Sequence, residues 1–414
     1  MDAVVQDDAW SVPLERIDVS DPTLYQNDCW HPWFARLRRD APVHWQGNGQ
    51  YGAFWSLSRA AEVLAVEADP VRFSSAARLG GITITDRPDD FRRPSFISMD
   101  PPQHTDQRRV VAPAFTPTNL GQLAGTVRAH AADILDHLPR GEVFNWVDLV
   151  AVELTTRMLA TLFGFPFAER RKLPFWSDVA TMDLRAGGVV DSEQTRLDIL
   201  RECLEVFTAL FRERAAAPPG PDLISMLAHG AGTRDQLDRP MEFLGNLVLL
   251  IVGGNDTTRN SISGGLWALH QNPGEMAKLR ADPRLAASAA QEIIRWVSPI
   301  IHMRRTALAD AEIGGQRIRA GDKVVMWYLS ANRDPDYVAS PDVFQVDRVR
   351  PRQHLSFGYG IHRCVGARLA ELQLTVLWEE ILKRFPRIEV MAEPRRIYSN
   401  FIRGISELQV RIPA

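Results

Sequence analysis

Phe357-Gly-Tyr-Gly-Ile-His-Arg-Cys364-Val-Gly-Ala-Arg-Leu-Ala370 sets one cysteine between glycines, directly before an apolar stretch at helical spacing. A thiol beside a helix start has a depressed pKa and is a good metal ligand, and nearby backbone N–H groups temper the charge on its sulfur. Gly358, Gly360 and Gly366 lack a Cβ, so backbone here can pass close to a flat ligand. The chain holds two other cysteines, Cys29 and Cys203, and none of the three forms a CxxC pair. That spacing excludes a four-cysteine zinc or iron–sulfur site and leaves an iron held by one sulfur from one side. Three separated cysteines also fit a reducing compartment.

The segment resembles the haem-binding signature of the cytochrome P450 family, Phe-x-x-Gly-x-His/Arg-x-Cys-x-Gly, with every defining position filled. The resemblance implies a mainly α fold with small β-sheets (α+β). In it heme b (iron protoporphyrin IX) lies between a long distal helix and a proximal helix that carries Cys364 as the metal ligand. It also places Phe357 and Gly358 beside the cofactor.

Three further motifs stand in the family's order. Glu292-Ile-Ile-Arg295 sets a carboxylate and a guanidinium on one helix face. It resembles the family's Glu-x-x-Arg element, whose third member matches Arg348, and the implied role is structural: folding and haem retention. Leu249-Leu-Ile-Val-Gly-Gly-Asn-Asp-Thr-Thr258 interrupts an apolar helical run with paired glycines, each costing about 1 kcal/mol against alanine. The residues alone allow a helix end capped by Asn255 or Asp256. The resemblance implies instead an oxygen-binding groove with Gly254 at the cofactor, Thr257 as the catalytic hydroxyl and Asp256 as the proton source, Asn255 and Thr258 ordering water. Finally, His104 and Arg108 lie one helical turn apart, and with Arg305 and His362 they fall where the family holds the haem propionates. Arg109 and Arg304 are adjacent alternatives.

Lys and Arg number 48 against 51 Asp and Glu, so the charge balance gives no reason to expect nucleic acid or an acidic polymer as partner. The motifs run from about residue 101 to 370 and must meet at one cofactor, which predicts a single domain over 1–414. Met1 to Trp10 is acidic and lacks an apolar run, so neither export signal nor membrane anchor is expected, and the location predicted is cytoplasmic. Apolar residues recur at helical spacing over Val150 to Phe163, Leu197 to Phe211, Met241 to Val252 and Leu369 to Leu382. Strand-like alternation marks Val43 to Phe54, Ile313 to Met326 and Ile388 to Ile412, and Pro218-Pro-Gly-Pro221 marks a connection.

No phosphate-binding Gly-Lys-Ser/Thr motif occurs, and only about fifty residues follow Cys364, so a fused reductase is not expected. Resemblance to soluble bacterial members implies a separate [2Fe-2S] ferredoxin and a ferredoxin reductase passing electrons from NAD(P)H, with Arg352, Arg363 and Arg368 as a docking patch. The expected substrate pocket is apolar: Leu79, Ile82, Ile84 and Phe96 in a loop over the haem, Met182 and Leu184 in a lid, and Val252, Gly253, Ile300, Ile301, Met303 and Phe401 at the floor. Gly253 to Gly265 and Val324 to Asp334 resemble the bacterial terminal hydroxylases. Those stretches imply O2-dependent terminal (omega) hydroxylation of a fatty acid or n-alkane. The alternatives are a steroid or terpenoid hydroxylase, a peroxide-driven haem-thiolate enzyme or a haem-binding sensor. Asp256 and Thr257 argue against the last two, which need no acid-alcohol pair.

Overall fold

The computed structural model describes residues 8–414; the acidic stretch 1–7 lies outside them. The chain is mainly helical with small sheets. Its axis is the helix Pro240–Gln271, about 48 Å long at 1.5 Å per residue. Pro240 sits in the first turn, where no N–H is required, and Asn272-Pro273 ends the run. The helix crosses Gly253 and Gly254 unbroken, which overturns the capped-end reading at Asn255 and Asp256. Tight packing offsets the glycines' cost. A Cβ on Gly245 would lie 2.0 Å from the Pro94 carbonyl oxygen, and one on Gly254 would lie 2.6 Å from a methyl of Leu159.

Around this axis pack the helices Glu153–Phe163, Lys172–Thr181, Ala286–Val297 and Ala367–Arg384, burying Trp146, Trp176, Phe163, Phe207, Phe243 and Trp378 in one continuous core. The run expected from Val150 begins in wider π turns, Val147–Val152, before becoming α-helical. Pro218 to Pro221 joins two helices that pack together, Glu193–Ala215 and Leu223–His229.

The larger sheet orders its strands Val43–Gly49, Gly52–Leu57, Lys323–Trp327, His302–Ala307 and Phe73–Ser74, with only the second and third parallel. A smaller sheet brings Val143–Asn145 against Gln409–Arg411 and Glu389–Val390. Between the sheet and the helices, Glu292 is fully buried and accepts from Arg295 Nε and Nη2 at 2.8 Å, Arg348 Nε at 2.8 Å and Nη2 at 3.1 Å, and the Gln345 N–H at 2.9 Å. Both guanidiniums also reach backbone carbonyls of the 332–343 segment, Arg295 to Asn332 and Pro341 and Arg348 to Val343. Burial raises the Glu292 pKa, but the two arginines outweigh it and hold the carboxyl below its usual range. The ion pair thus ties the irregular 332–348 backbone, which leads to the cysteine loop, onto the Ala286–Val297 helix.

Candidate active site

A cavity of about 660 Å3 opens between the long helix and the cysteine loop. Cys364 forms part of its wall, and neither Cys29 nor Cys203 reaches it. The sulfur is enclosed by protein yet exposed to the cavity. Burial raises the thiol pKa, opposed by the Gly366 N–H, Arg108, Arg363 and the Ala367 N–H. The loop is shaped by glycine: Gly360 has φ +64° and a Cβ there would lie 2.3 Å from the Glu67 carbonyl oxygen, so no other residue fits. The Cys364 N–H closes the loop on the Phe357 carbonyl at 2.8 Å, and Phe357 and Gly358 line the cavity.

Arg108, Arg305 and His362 line the same cavity, and His104 packs behind His362 with ring centroids 4.3 Å apart. Among the described residues, both ring nitrogens of buried His104 and Nδ1 of His362 have no hydrogen-bond partner. Burial, then Arg108, pushes His104 down to about 4; burial, then Arg305, pushes His362 down to about 2. The His362 Nε2 meets Ser75 Oγ at 3.1 Å. Unmet imidazoles beside two guanidiniums, facing a thiol across one space, fit the carboxylates and iron of heme b. Of the adjacent arginines, Arg109 is exposed beside Asp106, and Arg304 is held by Asp86 and the Leu79 carbonyl.

Glu67 is the residue that sequence reasoning missed. Buried on the other side of Arg305, it accepts from Arg305 Nη2 at 3.2 Å, the Tyr328 hydroxyl, and the Tyr359 N–H at 2.7 Å, linking the arginine to the cysteine loop. Its three partners lie far away in sequence, so no local pattern marks it.

Across the cavity, Thr257 Oγ1 donates to the Gly253 carbonyl at 2.9 Å, which fixes its oxygen at the cavity wall. Both glycines line the space, but only Gly253 has open room around its α-carbon; Gly254 turns its free side to Leu159. Asp256 does not line the cavity. It is buried against the Lys172–Thr181 helix and accepts from Ser177 Oγ at 2.9 Å, Thr181 Oγ1 at 3.2 Å, Asn255 Nδ2 at 2.9 Å and Arg259 Nη2 at 3.1 Å. Burial raises its pKa, with Arg259 opposing. Thr257 and Thr258 line the cavity, whereas the Asp256 carboxylate is taken up by the Lys172–Thr181 helix and by Arg259. Asn255 is likewise buried, accepting from Thr155 Oγ1 at 2.9 Å.

Of the expected pocket residues, Ile82, Ile84, Phe96, Met182, Leu184, Val252, Gly253, Ile300, Met303 and Phe401 line the cavity. Leu79 and Ile301 do not. Leu79 sits in a short turn and gives its carbonyl to Arg304 and Thr306, and Ile301 faces the core with Trp327. Extended backbone alternates faces, so Ile301 points away where Ile300 points in. Arg352 is exposed beside Glu371, and Arg363 and Arg368 are exposed.

This is the architecture of a haem-thiolate enzyme, with one cysteine opposite a distal helix and basic groups at the rim. The family model for cytochrome P450 matches residues 194–411. Linalool 8-monooxygenase of Pseudomonas putida is 39% identical over 96% of this chain and 99% of its own length. A methyl-branched lipid omega-hydroxylase of Mycobacterium bovis is 32% identical over 96% of each. Cytochrome P450-153 from Novosphingobium aromaticivorans superposes with a TM-score of 0.90 at 47% identity, covering 95% of this chain and 99% of that one. The chain belongs to the cytochrome P450 family. It is a heme b monooxygenase that hydroxylates a hydrophobic substrate, taking electrons from NAD(P)H through redox partners, as is typical of its class. Among the described residues no helix is long and apolar enough to cross a membrane.

Proposed function

We propose that this cytochrome P450 hydroxylates the terminal carbon of an aliphatic chain, a fatty acid or n-alkane, as a single domain supplied by a [2Fe-2S] ferredoxin and its reductase. The observation that carries the reading is the course of the cavity along one face of the long helix. Gly245, Val248, Leu249, Val252, Gly253 and Thr257 all line it, a helical stripe about 18 Å long that is apolar until the hydroxyl. Such a track suits an extended chain lying along the helix with one end at Thr257. Terminal selectivity requires holding that end in place and keeping the weaker subterminal C–H bonds away. The omega-hydroxylase named above is a relative over nearly the full length, which agrees with this reading.

In this reading Cys364 ligates the iron, and His104, Arg108, Arg305 and His362 hold the propionates, Arg305 being oriented by Glu67. Phe357, Gly358 and Gly254 bound the ring. Bound heme b would supply the activation of O2, of which one atom enters the substrate and the other leaves as water with the two electrons from the redox partners and two protons. Thr257 Oγ1, donating its one proton to the Gly253 carbonyl, offers its lone pairs to the cavity, where it accepts a hydrogen bond from a water and so orders a proton donor. Asp256 serves behind it as a positioning and proton-holding group. Arg259 joins it to Asp178, half exposed at the surface, so the line Asp178, Arg259, Asp256 leads from solvent to the helix. Arg352, Arg363 and Arg368 present positive charge beside the cysteine for the ferredoxin.

Optical titration of the ferric holoprotein with dodecanoic acid, octane, linalool and a sterol tests the substrate class. Loss of the low-spin Soret band with the linear chains is expected. A response to linalool or the sterol alone would overturn the reading in favour of a terpenoid or steroid substrate.

A further inference from the structure

Arg87, Arg93 and Arg196 line the cavity, and the Arg93 backbone lies against Gly245, twelve residues along the long helix from Thr257. Arg196 is 3% exposed, donates from Nη1 to Glu193 Oε1 at 2.9 Å and from Nη2 to the Met182 carbonyl at 2.6 Å, and leaves Nε without a partner. Arg87 approaches the same Glu193 oxygen only to 3.7 Å, and its Nε is also unmet. Arg93 is surrounded by protein but makes no hydrogen bond or ion pair through its guanidinium among the described residues, and its buried Nη1 has no acceptor. Glu193 is shared by Arg87 and Arg196 alone, its own Oε2 has no hydrogen-bond partner among the described residues, and nearby Asp183 is bound to Arg185. Arg92, next in sequence, also lines the cavity but differs in being met by Asp89 and by the carbonyls of Arg87 and Arg78.

A buried guanidinium without an acceptor is costly unless an anion completes it. Burial, then Arg87, pushes Arg93 down to about 9, so it remains cationic at neutral pH. An excess of unmet planar donors matches the two oxygens of a carboxylate, which guanidinium binds in bidentate fashion.

Building on the terminal-hydroxylation reading, we propose that Arg93, with Arg87 and Arg196, forms a subsite for the carboxylate of the substrate, so that the enzyme acts on fatty acids in preference to n-alkanes. The Arg93 backbone lies against Gly245, eight residues before Gly253 and twelve before Thr257, or about 12 to 18 Å along the helix. Carbon–carbon bonds of about 1.5 Å advance an extended chain roughly 1.3 Å per carbon, so the span fits chains of about ten to fourteen carbons. The chain would lie on the apolar stripe with its carboxylate at Arg93 and its methyl end at Thr257.

The test is a Soret titration with dodecanoate and methyl dodecanoate on the ferric holoprotein and on three variants, Arg93→Gln, Arg93→Lys and Arg92→Gln. Carbonyl spectra check that each variant holds haem through its thiolate. In the unsubstituted protein dodecanoate should bind roughly tenfold tighter than its ester. Arg93→Gln should abolish that ratio, Arg92→Gln should leave it, and Arg93→Lys should restore part of it. Equal affinity for acid and ester in the unsubstituted protein would overturn the subsite while leaving terminal hydroxylation standing, and this comparison needs no variant to fold. Equal loss of the ratio in both glutamine variants would reduce the effect to diffuse charge and overturn it too. A response to neither linear ligand, with linalool or a sterol still bound, would instead remove the reading on which the subsite rests.

Discussion

Two arginine clusters in this chain have opposite hydrogen-bond balances. At Glu292, Arg295 and Arg348 surround one carboxylate that accepts five hydrogen bonds, and their remaining nitrogens go to backbone carbonyls. Along the cavity, Arg87 and Arg196 share Glu193, Arg93 has no carboxylate partner among the described residues, and all three leave donors unmet. The first cluster is complete within the folded chain, so it can stabilise that chain and has nothing to offer a ligand. The second is incomplete and lines a cavity, so its stabilisation waits for a molecule from outside. The sign of the hydrogen-bond balance, more than burial or charge, separates a structural ion pair from a binding site.

That contrast can be broken by substitution. Glu292→Ala strands two buried guanidiniums and should destabilise the protein by about 3 to 5 kcal/mol, with loss of haem during purification. Thermal unfolding with haem quantification checks it, and a stable, haem-replete variant would deny the cluster its structural role. Arg93→Met should do the reverse. Removing an unpaired charge from a mostly buried position should leave the substrate-free protein as stable or more so, by about 1 to 2 kcal/mol in denaturant unfolding. A loss as large as that of Glu292→Ala would mean that Arg93 has a partner in the folded state. The smallest effect belongs to Arg185, half exposed in the lid, where it bridges Asp183 to Gln50 and Tyr51. Arg185→Ala should cost less than about 1 kcal/mol of stability, and stopped-flow mixing should show faster substrate entry and exit through a loosened lid.

The parts of this arrangement legible in the sequence are those carried by short local patterns. The cysteine loop depends on glycines within a few residues of Cys364, and Glu292 and Arg295 pair across one helical turn. Arg348 needed the family resemblance, because it lies 56 residues from Glu292 and meets it only through tertiary packing. Glu67 escaped notice for the same reason: its partners Arg305 and Tyr328 are 238 and 261 residues away. Leu79 and Ile301 were misplaced because hydrophobicity does not say which way a residue faces in a turn or at the start of a strand. Asp256 was assigned to proton delivery by the family resemblance; its contacts with Ser177, Thr181 and Arg259 come from tertiary packing that the sequence does not display. Arg93 carries no sequence signal as a binding group. Its character comes from partners that are missing, and only the folded chain shows them missing.

The most direct measurement is the product of turnover. The holoenzyme, reconstituted with ferredoxin, its reductase and NAD(P)H, would be given dodecanoic acid and its hydroxylated products separated by gas chromatography and mass spectrometry. The account predicts 12-hydroxydodecanoic acid as the dominant product. A spread of subterminal alcohols, or no oxidation of the linear chain while linalool or a sterol is hydroxylated, would contradict it.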